Sequence, residues 1–168
     1  MEIDFLGVVL RWMHILAAIT AVGGTIFSRV ALLPAASSLP DDPRRALLEG
    51  IRSRWSKFVA AAILLLLVSG LWNFMQMERA YKLGALYHAL FGIKFLLAFA
   101  IFFLASVLNG RSALAQKLRA NARWWLTVNM TLGILVVCIS GVLRGLPHPP
   151  KIAAVPAAIA PLQAQPGK

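Results

Sequence analysis

Four stretches of this 168-residue chain are apolar for long enough to cross a lipid bilayer: about Phe5 to Leu33, Trp55 to Met77, Gly84 to Leu108 and Trp124 to Leu143. A hydrocarbon core about 30 Å thick needs roughly 20 such residues in helical form. Helices are the only elements that fit, because an open strand would leave its backbone N–H and C=O groups unpaired in lipid. Composition points the same way: 60% of residues are hydrophobic and 14% charged, with a mean hydropathy of +0.76. A soluble domain of this size could not hide so much apolar surface. The expected fold is therefore all-α, an integral membrane four-helix bundle with short loops, occupying residues 1–146, followed by a disordered Pro/Ala-rich tail over 147–168.

The formal net charge of +11 would suggest nucleic acid in a soluble protein. Here the Lys and Arg side chains flank apolar runs instead of forming one stripe, which is the pattern of a membrane surface. The bilayer, not nucleic acid, is the expected partner. Glu2 and Asp4 stand where a signal peptide would carry positive charge, so the first run reads as a retained helix. The first and third connections together carry ten Lys and Arg residues and the opposite side six, with Lys94 inside the third run. The positive-inside rule then gives a multi-pass protein of the cell membrane with both termini outside the cytoplasm.

The connection after the first run passes Pro34 and Pro40 and reaches Asp41-Asp42-Pro43, an acidic helix start with proline at the first position. A short amphipathic helix through Leu47 and Leu48 is expected to lead into the second span. Beyond Leu146 come Pro147, Pro149, Pro150, Pro156, Pro161 and Pro166 among alanines, a composition that favours an extended, flexible segment. Cys138 has no second cysteine to pair with.

An ionisable side chain inside a span is costly and so marks a candidate site. His14, His88 and Lys94 are the three. Steps of three and four from His14 reach Ala17, Ala18, Ala21, Gly24, Thr25 and Ser28. Such a small-residue face lets helices approach or leaves room for a flat cofactor, so His14 is expected to face the bundle interior. A histidine hydrogen-bonded to a neighbouring helix is the plainer alternative. His88, near the start of the third span, falls in the same half of the membrane, and two imidazoles at similar depth are what bis-histidine b-haem requires. A headgroup-level histidine is the alternative there. Lys94 lies roughly 15 Å from Gly84 at 1.5 Å per residue. No Asp or Glu lies in any span, so its ammonium must meet a cofactor or substrate carboxylate, a carbonyl, or a polar side chain such as Asn73 or Asn129. Met13, Met75 and Met77 lie towards the same side as the two histidines. Thioether with imidazole suits Cu(I), although methionine also simply fills gaps between helices.

Several short motifs resemble one membrane-protein superfamily, that of the copper-resistance protein D (CopD) domain and the HemJ-type protoporphyrinogen oxidases. Trp12-Met13-His14-Ile15, followed by Gly24 and Arg29, resembles its first-helix pattern of His, Gly and Arg. Arg54-Trp55 opening a long apolar run that closes on Ser69-Gly70-Leu71-Trp72 is similar to its second helix. Gly92-Ile93-Lys94-Phe95 resembles its third-helix His-Ile-Lys stretch. The likeness extends from about Leu10 to Leu143. It implies b-type haem ligated by His14, a catalytic role for Lys94, and a place at the cofactor for Arg29 and Arg54. The family's third-helix histidine aligns with Gly92, and His88, one turn earlier on roughly the same face, is the expected substitute. This departure points to a relative of the oxidase more than to the oxidase itself.

Three functions follow as expectations. The first is a haem-b-binding, redox-type membrane protein with a separate electron partner. The second is a copper transport or resistance component using the His and Met set. The third is a structural bundle, self-associating or holding a partner, without a cofactor.

Overall fold

Asp4 opens the first helix: its Oδ1 accepts the Gly7 N–H at 3.0 Å, the side-chain cap that an exposed helix start requires. In the computed structural model, which describes residues 4–110 and 112–151, helix α1 runs Phe5–Phe27. It passes through a single π turn, Ser28–Leu32, into the short helix α2, Leu33–Ser37. Helix α3 covers Asp41–Ala80, α4 Ala85–Asn109, α5 Ala113–Ala120 and α6 Ala122–Gly145.

Asp41 and Asp42 occupy the first turn of α3, where negative charge suits the helix dipole, and Pro43 follows without breaking it. The amphipathic segment through Leu47 and Leu48 is not a separate helix. It is continuous with the second span, making one helix of 40 residues, roughly 60 Å long at 1.5 Å per residue. Such a rod outreaches a bilayer core, so its Arg-rich first turns stand outside the apolar layer.

Four segments are long and apolar enough to cross a membrane: Phe5–Ser37, Asp41–Ala80, Ala85–Asn109 and Ala122–Gly145. Large apolar side chains such as Leu16, Leu64, Leu96, Phe103 and Val137 face outwards and are exposed. That arrangement would aggregate in water and is matched in lipid. The chain is an integral membrane all-α bundle, as its apolar runs require.

The helices run alternately up and down in a ring. α1 packs chiefly on α3 and α4 on α6, while α1–α6 and α3–α4 contacts close the circle. Small residues set the approach of α1 and α3. Ala17 and Ala62 are buried, and a Cβ on Gly24 would stand 2.1 Å from Cζ2 of Trp55, so the indole lies directly on the α1 backbone. Gly133 of α6 receives Val22 in the same manner, at 3.3 Å from a built Cβ. Across the π turn, Arg29 Nε donates to Thr127 Oγ1 at 2.7 Å, tying α1 to α6. Asn129 Nδ2 donates to Thr25 Oγ1 at 3.4 Å one helical turn deeper.

The bundle thus has two distinct ends. At one, α1 and α4 begin while α3 and α6 finish; this is the His14 end. At the other lie the Arg-rich start of α3 and the α4–α5 connection; this is the arginine end. Helix α5 is capped by Ser112, whose Oγ accepts the Ala115 N–H at 3.2 Å. Arg119 fastens α5 back, with Nη1 donating to the Gly110 carbonyl at 2.6 Å.

At the His14 end the chain does not leave the bundle after Leu146. Residues 147–151 run antiparallel to the α3–α4 corner: Lys82 N–H donates to the Pro149 carbonyl at 2.9 Å and Lys151 N–H to the Ala80 carbonyl at 3.0 Å. The Lys151 ammonium also bonds the Glu78 carbonyl. The rest of the segment expected to be flexible, 152–168, lies outside the described residues.

Candidate functional site

Two cavities lie at opposite ends of the bundle, where diagonal helices do not fill the centre. The one at the His14 end has a volume of about 520 Å³ and draws its walls from α1, α3, α4, α6 and the segment after α6. His14 enters from α1, nine residues from its start; Lys94 enters from α4, also nine residues from its start. Equal counts from the same end put both at a similar depth, roughly 14 Å at 1.5 Å per residue. Asn73 and Met77 line the cavity from α3, Ser140 and Arg144 from α6, and His148 from the segment beyond.

His14 is oriented by α3. Its Nδ1 lies 2.9 Å from Ser69 Oγ, and that hydroxyl donates to the Leu65 carbonyl one turn earlier. The hydroxyl has a single proton, already given to Leu65, so it accepts from His14. This assigns the Nδ1–H tautomer and leaves Nε2 as the basic nitrogen. Metal-binding imidazoles use the same arrangement, a second-sphere acceptor holding one N–H so that the other nitrogen can coordinate. Gly70 makes room for the ring: a Cβ there would lie 3.2 Å from His14 Cε1.

Lys94 has no hydrogen-bond or ion-pair partner among the described residues. Among the described residues no carboxylate lines the cavity, whereas Lys94 and Arg144 both do. An interior cation without a counter-charge is a strong preference for an anion. Phe74 and Phe91 stack with ring centroids 4.0 Å apart, giving the wall a broad apolar face.

The expected pairing of His14 with His88 is not what the geometry brings together. His88 lies in the first turn of α4, six residues shallower than Lys94, and its side chain is 46% exposed. Its Nδ1 meets the Gly84 carbonyl at 3.0 Å and its Nε2 meets Glu78 at 3.2 Å. Both ring nitrogens are engaged at the corner, and His88 is not in the cavity wall. His148 is there instead. Its ring stands edge-on between Tyr81 and Tyr87, with centroids 5.8 and 5.5 Å away, and its buried Nε2 has no partner among the described residues. A buried ring nitrogen left unpaired carries a cost that a partner reaching it would relieve.

The remaining candidates lie elsewhere. Arg29 is fifteen residues along the helix from His14, roughly 22 Å, and is engaged with Thr127. Arg54 is exposed near the arginine end. Neither lines either cavity. Of the three methionines, Met77 shares the cavity with His14, while Met13 and Met75 do not. Asn73 lines the cavity with Lys94; Asn129 belongs to the opposite end. Among the described residues, no group of three or more His, Cys, Asp or Glu side chains gathers to hold a metal ion.

The cavity at the arginine end, about 420 Å³, lies between α1, α3, α4, α5 and α6. The small face of α1 opens onto it through Ala21, Thr25 and Ser28.

Compared with models of protein families, with curated proteins and with solved structures, the chain matches none.

Proposed function

We propose that this chain is a multi-pass haem-b membrane protein of redox type, taking the cofactor in the His14-end cavity. One observation carries the reading: His14, held through Nδ1 with Nε2 left basic, shares a cavity with His148, whose own Nε2 is buried and unsatisfied. Two imidazoles of this kind would hold a b-type haem, which needs no larger cluster of ligands.

The other walls fit the same group. Lys94 and Arg144 supply cations for propionates, and Phe74 and Phe91 offer an apolar surface to a planar ring. The volume of about 520 Å³ falls within the range of cofactor sites, on the order of 300–1,000 Å³. Haem b would bring one-electron oxidation and reduction to the site. The chain's own part is to orient His14 through Ser69, to neutralise carboxylates with Lys94, and to keep water from the ring with its aromatic wall. The likeness of the His14, Gly24 and Lys94 motifs to the CopD and HemJ-type superfamily supports the same reading.

The test is the visible spectrum of purified protein expressed with haem supplied. A b-type Soret band is expected, lost or strongly weakened in His14→Ala. His148→Ala should move the iron from six-coordinate towards five-coordinate, while His88→Ala leaves the spectrum unchanged. Wild-type protein without haem would defeat the proposal, and a six-to-five shift in His88→Ala would reassign the second ligand.

A further inference from the structure

The second cavity has a different chemistry. Its deeper walls include Ile63, Ile101, Phe102 and Leu126, with Thr25 and Asn129 as polar members; its rim carries Arg45, Arg52 and Arg119 beside Glu49. The rim lies at or beyond the level of Trp55, an aromatic of the kind found at the membrane interface. Ile63 lies eight residues further along α3, roughly 12 Å deeper. The cavity therefore runs from the basic surface into the apolar layer.

The three guanidiniums differ in what they already hold. Arg52 bonds Glu49, which removes one charge from the rim. Arg119 is fastened to the Gly110 and Leu108 carbonyls. Burial and the neighbouring Arg52 hold its guanidinium below the usual arginine range, and Glu49 opposes this. Arg45 is exposed and has no hydrogen-bond or ion-pair partner among the described residues. The rim thus keeps an excess of positive charge, with the Arg45 guanidinium uncommitted among the described residues, above a pocket whose walls are mainly apolar.

We infer that this cavity binds an anionic phospholipid of the adjacent leaflet, its phosphate against Arg45 beside Arg52 and Arg119 and an acyl chain between Ile63, Ile101 and Phe102. The charge of the rim selects the headgroup, and the mainly apolar wall selects a chain over water. The inference is independent of haem, because the two cavities share no lining residue.

The experiment uses the full chain in neutral detergent, titrated with short-chain phosphatidylglycerol, with phosphatidylcholine of equal chain length, and with inorganic phosphate. Binding is read by the rise in Tm and by native mass spectrometry. Phosphatidylglycerol is expected to bind at least about tenfold more tightly than phosphatidylcholine, in keeping with one charge-assisted hydrogen bond, and phosphate alone should not raise Tm. Arg45→Gln should remove most of that preference. Ala105→Phe, which fills the cavity from α4 and leaves every arginine in place, should weaken both lipids. Equal binding of the two lipids, or an unchanged preference in Arg45→Gln, would overturn the headgroup assignment. A Tm rise with phosphate alone would make this a phosphate site, and unchanged lipid binding in Ala105→Phe would remove the acyl chain from the cavity.

Discussion

His14 Nδ1 stands 2.9 Å from Ser69 Oγ, and Ser69 is fully buried with its own proton on the Leu65 carbonyl. The relay runs from α1 into the backbone of α3, so one hydroxyl sets both the tautomer and the direction of the imidazole. Ser69→Ala should therefore keep the fold but lower haem retention by about 10–100-fold, the usual cost of removing a second-sphere partner. The measurement is the rate of haem transfer to an acceptor protein. Retention at the wild-type rate would mean that Ser69 only packs.

Among the described residues Lys94 has no counter-charge, and no carboxylate lines its cavity. If its role is to meet a propionate, wild-type protein should hold haem better than haem dimethyl ester, and Lys94→Gln should erase that difference while leaving the Soret band in place. Lys94→Arg should restore part of it. A Lys94→Gln protein that still distinguishes acid from ester would assign the propionates to Arg144 instead.

Gly24 and Trp55 meet backbone to ring. A methyl at position 24 would stand 2.1 Å from the indole, whereas one at Gly23 would meet nothing within 4 Å. Gly24→Ala should cost about 1–3 kcal/mol through overpacking, and Gly23→Ala should be near neutral. Thermal unfolding in detergent compares them. Trp55→Phe in the Gly24→Ala background should recover part of the loss, since neighbours in contact are not additive.

Most of this architecture was legible from the chain because lipid leaves few choices. Length and hydropathy define the four spans, and an acidic pair before Pro43 marks the start of α3. His14 and Lys94 stand out as ionisable groups in apolar runs, and both line the cavity. The histidine that shares the cavity with His14 was not legible. His88 looked suitable by its position in the third run, yet a carbonyl and a carboxylate at the corner occupy both its nitrogens. His148 was hidden in Leu146-Pro147-His148-Pro149-Pro150, which has the local signature of an extended tail. Only its antiparallel pairing with Ala80–Lys82 returns it to the bundle, and long-range pairing leaves no mark in local pattern. Arg29 and Arg54 were read from motif alone; the first proves to be a helix-to-helix tie to Thr127, the second an exposed side chain.

That pairing makes truncation informative. A chain ending after Lys151 should keep the His148 spectrum and wild-type Tm, because the bonds from Lys82 and Lys151 remain. A chain ending after Leu146 should lose six-coordination and, with it, part of the order at the α3–α4 corner. Identical spectra from the two would exclude the 147–151 segment from the site.

The excess of Lys and Arg at the arginine end predicts that this end faces the cytoplasm. A reporter active only in the cytoplasm should work when inserted between Asn109 and Ala113 and fail when fused after Lys151. The opposite pattern would invert the topology and assign the lipid cavity to the other leaflet.

At the π turn the Leu33 N–H reaches back to the Ser28 carbonyl, five residues instead of four. One extra residue is accommodated there, and at about 100° per residue it rotates the phase of all that follows. The faces of α1 and α2 are thus indexed separately, and their offset is written into the residue count. Deleting one residue between Ser28 and Leu32 would close the turn to an ordinary α turn and leave Leu33–Ser37 on the same face, against α3. A related chain whose first helix is α throughout would align with this one only across a single-residue gap at that point.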